Sequence, residues 1–346
     1  MFKNLLGIFS KDMGVDLGTS NVLVYVKDKG LVVNEPSVVA INARTDQVMA
    51  VGEEARKMIG KTPPHIVASK PLVDGVISDF EVTEKMMEYF IRKVHQKTSN
   101  IFVRPRVIVG IPLDITEVEK KAVEDAALQA GAREVFLVEN VMAAAIGNRL
   151  PVQEAAGNMV VDIGGGTTEI AVISLGGIVT WKSIKVAGNR LNNNIIDYAR
   201  DNFSILLGER MAEEIKMKIG SAYPLKQPLE TKMRGRDMLT GLPKESVIND
   251  SQVRDALQRS VRIMVENIKN TIESTPPELV ADIYQRGIVL SGGGALLRGL
   301  DELIKTEIKI PVHISDDPLT AVVRGMGIIL EDLDNLKDIL VPPDKG

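Results

Sequence analysis

The stretch Met159-Val-Val-Asp-Ile-Gly-Gly-Gly-Thr-Thr-Glu-Ile-Ala-Val-Ile173 places two apolar runs on either side of a turn with three successive glycines. An earlier stretch, Met13-Gly-Val-Asp-Leu-Gly-Thr-Ser-Asn-Val-Leu-Val-Tyr-Val26, has the same order of apolar run, aspartate, glycine turn and apolar run. Short apolar runs joined by glycine turns predict β-hairpins. Their aspartates, Asp16 and Asp162, lie 146 positions apart (162 − 16), which is about the size of one domain. The sequence therefore predicts two duplicated halves.

The segments that follow each hairpin extend this plan. Arg106-Val-Ile-Val-Gly-Ile-Pro112 is a β-rich run ahead of a predicted helix near 115–130, and Gly287-Ile-Val-Leu-Ser291 is another ahead of a glycine turn. Strands that alternate with helices predict an α/β fold in which helices flank sheets. A chain of 346 residues suits two domains with a ligand cleft between them.

The composition excludes several classes of function. Forty-two basic and 46 acidic residues give a net charge of −4 without a long run of either sign, so we expect no nucleic-acid partner. The absence of cysteine and the wide separation of the three histidines argue against a structural metal site. No apolar run approaches the roughly 20 residues that span a bilayer, and no secretory signal begins the chain. We expect a cytoplasmic protein.

The turn between the first two predicted strands has the residue types of a phosphate loop. Gly18 lets the backbone come close to a ligand, and Thr19, Ser20 and Asn21 offer amides and short polar side chains to phosphate oxygens. Glycine turns between strands are also common in hairpins that bind nothing. Taken alone, this turn leaves both interpretations open.

The second turn is more informative. Three successive glycines cost conformational entropy without adding packing, and a close approach of the backbone to a ligand explains that cost. Phosphate is the candidate ligand of Gly164, Gly165, Gly166 and Thr167. Asp16 and Asp162 then become candidates to hold Mg²⁺ through water, because Mg²⁺ keeps several waters and takes few carboxylates. Both aspartates could instead simply form turns.

A third glycine segment strengthens the case for a nucleotide. In Ser291-Gly-Gly-Gly-Ala-Leu-Leu-Arg-Gly299, a strand passes through glycines towards a helix, which suits adenosine or phosphate at a helix N-terminus. The candidate contacts are Gly292, Gly293, Gly294 and Ala295. Three glycine loops in this order, two of them in matching hairpins, indicate nucleotide binding more strongly than any one of them.

The order Asp-x-Gly-Thr-x-Asn, Ala-Ala-Ala-Ile-Gly, Asp-x-Gly-Gly-Gly-Thr-Thr and Gly-Gly-Gly resembles that of the superfamily of actin, sugar kinases and chaperone ATPases. Within it, five segments resemble MreB, the family of bacterial cell-shape actins, and the resemblance extends over nearly the whole chain. The segments are Asn34-Glu-Pro-Ser-Val-Val-Ala40, Gly75-Val-Ile-Ser-Asp-Phe80, Met142-Ala-Ala-Ala-Ile-Gly147, Gly164-Gly-Gly-Thr-Thr-Glu169 and Ser274-Thr-Pro-Pro-Glu-Leu279.

This resemblance implies an actin-like fold, in which two duplicated sheet-and-helix domains surround a nucleotide cleft and each carries a small insertion subdomain. The expected parts are an amphipathic segment 1–11; a first core subdomain of 12–32, 66–150 and about 330–346; an insertion 33–65; a second core subdomain of 151–181 and about 246–329; and an insertion 182–245.

The resemblance also implies a function. It implies ATP or ADP with Mg²⁺ in the cleft, and Glu213 and Lys216 near the ribose and adenine, although this pair could be an ordinary surface pair at i, i+3. It implies self-association into filaments on the inner face of the cytoplasmic membrane, with the proteins of cell-wall elongation as partners. A small-molecule kinase on the same fold and a nucleotide-binding scaffold without turnover are the alternatives.

Two segments are candidates for membrane contact. In residues 1–11 the apolar side chains fall within roughly 160° on a helix of 100° per residue, with lysines on the rest of the circumference. A tail packed on its own domain is the alternative. By resemblance, a second contact is an apolar loop, which could equally pack on the core. The candidate residues are Phe2, Leu5, Leu6, Ile8 and Phe9 in the first segment and Ile101 and Phe102 in the second.

Val118 is the candidate residue for filament pairing. It lies among charged residues in the predicted helix near 115–130, where it would otherwise be one residue of a solvated face. By resemblance, this helix pairs with its counterpart on a second protofilament to form antiparallel double filaments.

The chain departs from the family at one catalytic position. The family has Glu-Pro just before Met-Ala-Ala-Ala-Ile-Gly, where the glutamate activates the attacking water, whereas this chain has Asn140 and Val141. Asn140 can orient a water but cannot accept a proton. Glu139 precedes it, and one step along an extended segment turns a side chain to the opposite face, so compensation by Glu139 stays open. With Thr167 as the remaining partner of that water, we expect a weak ATPase.

Overall fold

The computed structural model describes residues 11–95 and 104–342. Its strands are β1 (Met13–Leu17), β2 (Asn21–Val26), β3 (Gly30–Pro36), β4 (Val39–Asn42), β5 (Gln47–Val51), β6 (Ile66–Ser69), β7 (Leu72–Val73), β8 (Val76–Ile77), β9 (Arg106–Ile111), β10 (Glu134–Glu139), β11 (Asn158–Ile163), β12 (Thr168–Ser174), β13 (Gly177–Ile184), β14 (Ile205–Leu206), β15 (Glu230–Asp237), β16 (Pro243–Asn249), β17 (Ile288–Ser291) and β18 (Val312–Ile314).

The α-helices of these ranges are α1 (Glu53–Met58), α2 (Phe80–His95), α3 (Glu117–Gln129), α4 (Asn140–Gly147), α5 (Gly188–Phe203), α6 (Glu209–Ile219), α7 (Asp250–Glu273), α8 (Pro277–Arg286), α9 (Leu300–Ile308) and α10 (Ala321–Glu331). Two short 3₁₀ helices span Gly293–Leu296 and Lys337–Ile339. Among the helices of the described residues, none is long and apolar enough to cross a bilayer.

The chain divides into two compact units. The first comprises the chain up to Glu154, Leu175–Gly177 and the chain from Thr320 onward; the second comprises Ala155–Ser174 and Ile178–Leu319. The finer division into four subdomains stays a prediction.

Each unit is built on a five-stranded sheet, and the two sheets have the same plan. In the first unit the order is β10-β9-β1-β2-β3, with β1 parallel to β9 and antiparallel to β2. In the second, read in the matching direction, it is β18-β17-β11-β12-β13, with β11 parallel to β17 and antiparallel to β12. The duplication predicted from the two hairpins is confirmed, since each hairpin occupies the same place in its sheet.

Residue types explain the local structure. β12 has the run of apolar and β-branched residues typical of a central strand, and all seven of its residues are buried. Helix α3 begins at a capping box in which the Thr116 hydroxyl accepts from the Glu119 backbone N–H and the Glu119 carboxylate accepts from Thr116. The helix predicted near 115–130 is thereby observed.

Helices α4 and α10 pack with their backbones in contact. A Cβ on Gly147 would lie 1.9 Å from the carbonyl oxygen of Ala321, and one on Gly325 would lie 1.8 Å from that of Ala143. Only glycine permits this approach. Helix α4, which begins at Asn140, is therefore held firmly against α10 within the first unit.

Candidate functional site

In each unit the glycine loops follow the carboxyl ends of parallel strands. β11 and β17 run parallel, with Asp162 beside Ser291, so the loops after them emerge at the same edge of the sheet. In the first unit β1, β9 and β10 are parallel, which places the loop after β1 and Asn140, after β10, at one edge. Ligands of open α/β sheets bind at this edge.

The second glycine loop is bonded to the start of helix α5. The Gly188 N–H donates to the Gly164 carbonyl at 3.1 Å, and the Asn189 N–H donates to the Gly165 carbonyl at 2.8 Å. The loop also closes on itself through a 2.9 Å hydrogen bond from the Gly164 N–H to the Thr167 carbonyl. Gly164, Gly165, Gly166 and Thr167 therefore form a fixed turn beside a helix N-terminus, where the helix dipole favours an anion.

The third glycine loop packs directly on the second hairpin. A Cβ on Gly292 would lie 2.4 Å from the Ile163 carbonyl oxygen, and one on Gly294 would lie 2.1 Å from the Ile163 Cγ2. Gly292 also has a φ of +76°, which favours glycine. Gly293 and the buried Ala295 continue into the 3₁₀ helix. The sequence motifs at 162–167 and 291–295 thus form one site.

Two buried polar atoms at this site have no hydrogen-bond partner among the described residues. They are Asp162 Oδ1 and Ser291 Oγ. Burial raises the pKa of Asp162 to about 6. Buried polar atoms are rarely left without a partner, because desolvation is costly. This pair therefore fits a polar ligand at the carboxyl edge of the second sheet.

Lys216 lies beside the same turn. Its ammonium donates to the Gly188 carbonyl at 3.0 Å, and burial lowers its pKa while the charge of Glu213 raises it. Lys216 is therefore not a solvated surface residue. The structure brings Lys216 to the second glycine loop, with Glu213 one turn earlier on α6.

The first glycine loop is tied to its own unit. A Cβ on Gly18 would lie 2.6 Å from the Asn21 carbonyl oxygen, so glycine is needed in this turn. The Thr19 hydroxyl accepts from the Gly75 N–H at 2.9 Å, and Asn21 donates to the Asn34 side chain at 2.8 Å. Ser20 is exposed. This leaves Ser20 and the loop amides as the groups of the loop best placed for a ligand.

Asn140 is the first residue of α4 rather than part of an extended segment, because β10 ends at Glu139. The extended segment therefore ends at Glu139, and the placement of the two side chains on opposite faces stays a prediction. Asn140 Oδ1 is buried without a partner among the described residues, and a Cβ on Gly110 would lie 2.2 Å from it. Burial raises the pKa of Glu139, outweighing a backbone hydrogen bond and the charge of Lys120.

The carboxylates present can hold Mg²⁺ only when a nucleotide supplies further oxygen ligands. No cluster of three or more His, Cys, Asp or Glu side chains able to hold a metal occurs in 11–95 or 104–342. Asp162 offers its buried carboxylate in the second unit, and Asp16 lies near the end of β1 in the first. Few carboxylates, completed by phosphate oxygens and waters, are the usual Mg²⁺ environment.

The remaining predicted residues fall into two groups. Val118 lies in the first turn of α3 and is 80% exposed. The membrane candidates, Phe2, Leu5, Leu6, Ile8, Phe9, Ile101 and Phe102, lie outside the described residues.

The model of the family described as MreB/Mbl protein matches residues 10–338. The chain belongs to the MreB/Mbl family. Its relatives include the cell shape-determining protein Mbl of Bacillus subtilis, 49% identical over 95% of this chain and 98% of that protein. Another is the cell shape-determining protein MreB of Escherichia coli K12, 51% identical over 96% of this chain and 97% of that protein.

Solved MreB structures confirm the actin-like fold. MreB 5 of Spiroplasma citri bound to AMPPNP has a TM-score of 0.89 at 37% identity and covers 94% of this chain and 97% of its own. The same protein bound to ADP has a TM-score of 0.90 at 36% identity, covering 95% and 98%. This MreB-family chain is therefore a member of the actin-like cell-shape proteins.

Sequence reasoning missed three contributors to the site. Ser291 was treated only as the end of a strand, although its hydroxyl is buried beside Asp162. Gly188 and Asn189 begin α5 against the second glycine loop; a glycine between an apolar run and a helical segment is the signal that could have identified them.

Proposed function

We propose that this MreB-family chain binds ATP with Mg²⁺, polymerises into antiparallel double filaments on the inner face of the cytoplasmic membrane, and organises cell-wall synthesis and rod shape. The nucleotide site is inferred from one observation in the second unit. Two glycine loops and the N-terminus of α5 lie together beside the buried atoms Asp162 Oδ1 and Ser291 Oγ. The AMPPNP- and ADP-bound Spiroplasma relative supports the same ligand class.

The roles follow from the chemistry of each group. The amides of Gly165, Gly166, Thr167 and the loop at 18–21 donate to phosphate oxygens, while the Gly164 amide closes its own loop. Gly292–Ala295, Glu213 and Lys216 surround the nucleoside. Asp16 and Asp162 would hold Mg²⁺ through water, and the cation would neutralise phosphate charge.

Hydrolysis in this proposal is slow. The Asn140 Oδ1 lies against Gly110, and its amide can orient a water together with Thr167 but takes no proton. Loss of general-base assistance commonly costs about 10² to 10⁴ in rate. Asn140 also favours a second candidate function, a scaffold that binds nucleotide without hydrolysing it. Steady-state phosphate release by the native chain distinguishes the two, because only a weak ATPase releases phosphate above the uncatalysed rate.

Sedimentation with ATP, Mg²⁺ and vesicles of anionic lipid tests the proposal against a small-molecule kinase. We expect nucleotide-dependent pelleting and recovery with vesicles, whereas a kinase would remain in the supernatant. Deletion of residues 1–11 should weaken vesicle recovery and leave ATP affinity unchanged, because the amphipathic segment lies outside every nucleotide contact named above. Equal vesicle recovery of the two chains would remove the membrane role of this segment.

Val118→Glu tests filament pairing. The substitution places an unpaired carboxylate in the proposed helix contact, where its desolvation opposes association. We expect single protofilaments by electron microscopy, with ATP affinity unchanged. Val118→Thr, which keeps the shape without the charge, is the matched control and should still form doubles. If the glutamate variant forms double filaments as often as the native chain, Val118 is not part of the contact between protofilaments.

A further inference from the structure

Gly110 interrupts the apolar run of strand β9, and its backbone conformation does not explain why. The φ of Gly110 is not positive, so a residue with a side chain could adopt it. Glycine in the interior of a strand weakens the strand, because it has no side chain that packs. Its neighbours Val109 and Ile111 are both buried and β-branched, which suits a strand. Space beside the backbone is therefore the reason for a glycine at position 110.

Two side chains occupy the space beside Gly110. A Cβ on this residue would lie 2.2 Å from Asn140 Oδ1 and 2.5 Å from Met326 Cε. Both separations are too short for non-bonded heavy atoms, so one side chain or the other would have to move. The Asn140 amide and the Met326 methyl group thus lie where any other residue at position 110 would carry its side chain.

Met326 is fixed at the other end of its side chain. It lies on α10 and is completely buried, and a Cβ on Gly14 would lie 2.6 Å from the Met326 Cβ. Gly14 belongs to β1, which pairs with β9, so the Met326 side chain extends across two neighbouring strands. Helix α10 is itself packed on α4 through Gly147 and Gly325. The Met326 methyl group is therefore a fixed neighbour of the Asn140 amide.

Packing, rather than hydrogen bonding, holds the Asn140 amide. Its Oδ1 is buried and has no hydrogen-bond partner in the part of the chain that the structure describes. The nearby Cα of Gly110 and methyl group of Met326 cannot supply a conventional donor. Most buried acceptors have a donor that fixes their direction. Because this one has none, the position of the Asn140 amide depends on the absence of a side chain at Gly110.

We propose that Gly110 is a positioning residue for ATP hydrolysis, because it leaves the space in which the Asn140 amide is held. The inference rests on the proposed role of Asn140 in orienting the attacking water. An orienting group acts from a defined position, and a misplacement of about 1 Å can cost about 10²-fold in rate. Gly110 thus acts on hydrolysis through Asn140, whereas ATP binding rests on the glycine loops.

Phosphate release at saturating ATP, followed over a single turnover, tests this role. Gly110→Ala should lower the rate to that of Asn140→Ala, a loss of as much as about 10²-fold, while calorimetric titration gives the native ATP affinity. In the Asn140→Ala background the same substitution should have no further effect, because the amide is already absent. Gly208→Ala is the matched control and should release phosphate at the native rate. Its φ of −83° is not positive, and a Cβ there would meet nothing within 4 Å.

Met326→Leu keeps the comparison possible if Gly110→Ala fails to fold. Leucine has nearly the volume of methionine without its terminal methyl group, so this substitution relieves one of the two contacts at Gly110 with little loss of packing. Gly110→Ala should lower phosphate release by the same factor in this background, because the contact with Asn140 remains. If Met326→Leu instead restores native release to Gly110→Ala, the glycine serves only the packing of Met326, and the positioning role is overturned.

Each other contrary result has its own meaning. Native phosphate release from Gly110→Ala, or an equal further loss in the Asn140→Ala background, overturns the positioning role and leaves the proposed ATP binding standing. A fall in ATP affinity that accounts for the slower release does the same. Native release from Asn140→Ala overturns both this inference and the water-orienting role of Asn140. A native chain that binds no ATP overturns the proposed function itself.

Discussion

Gly292→Ala should lower ATP affinity by roughly 10²-fold, a loss of about 2.8 kcal/mol in binding free energy, because the new methyl group displaces the third glycine loop. The residue has a φ of +76°, and the new Cβ would lie 2.4 Å from the Ile163 carbonyl oxygen. Backbone atoms cannot rotate away as a flexible side chain can, so the third glycine loop has to move. Positive φ costs alanine about 1–2 kcal/mol and overpacking about 1–3 kcal/mol.

Gly241→Ala is the matched control for this substitution. Gly241 has nearly the same φ, +73°, but a Cβ there would meet nothing within 4 Å. Gly241→Ala therefore introduces the strain of a positive φ without a steric clash, and we expect this variant to bind ATP with native affinity. Calorimetric titration with ATP measures affinity. If both variants bind ATP as the native chain does, the third loop is not part of the nucleotide site.

Asn140→Glu should raise steady-state phosphate release by roughly 10²-fold, the lower end of what a general base contributes. The position is the first residue of α4, where the helix dipole favours a carboxylate. Asn140 Oδ1 and Met326 Cε already fill the space beside Gly110, so we expect the longer glutamate to turn its carboxylate away from Gly110. ATP affinity should remain nearly unchanged, because binding rests on the glycine loops.

Asn140→Gln is the control for side-chain length, because it adds one methylene without adding a base. We expect phosphate release to rise far less in this variant than in Asn140→Glu. Phosphate release that stays level or falls in the glutamate variant, with polymerisation intact, would remove Asn140 from the water site. Glu139 would then be the better candidate, because burial already raises its pKa towards that of a useful base.

The hairpins and glycine loops could be predicted because their signal is local. Apolar runs around Asp162 and its three glycines determine a strand, a turn and a strand within 15 residues (173 − 159 + 1), and the structure shows β11 and β12 there. The matching plan of the two sheets follows from the repeat of that pattern. Helix α3 was predictable for the same reason, since its capping residues lie in its own first turn.

Other features depend on contacts between distant segments and leave no local signal. Ser291 is beside Asp162 only because β17 pairs with β11, and Gly110 is beside Asn140 only because of the packing of β9 and α4. The start of α4 at Asn140 was missed because a strand meets a helix there without a proline or a Ser/Thr cap. The sequence likewise does not predict the close contact between α4 and α10 at Gly147 and Gly325, because these residues lie far apart along the chain.

Electron microscopy of the full-length chain on an anionic lipid monolayer, with and without ATP and Mg²⁺, shows whether nucleotide bound at the glycine loops drives polymerisation of this MreB-family chain on a membrane. We predict paired straight filaments on the lipid with ATP and Mg²⁺, and none without nucleotide. Filaments that form equally without nucleotide, or a chain that binds ATP and never polymerises on lipid, would contradict this proposal.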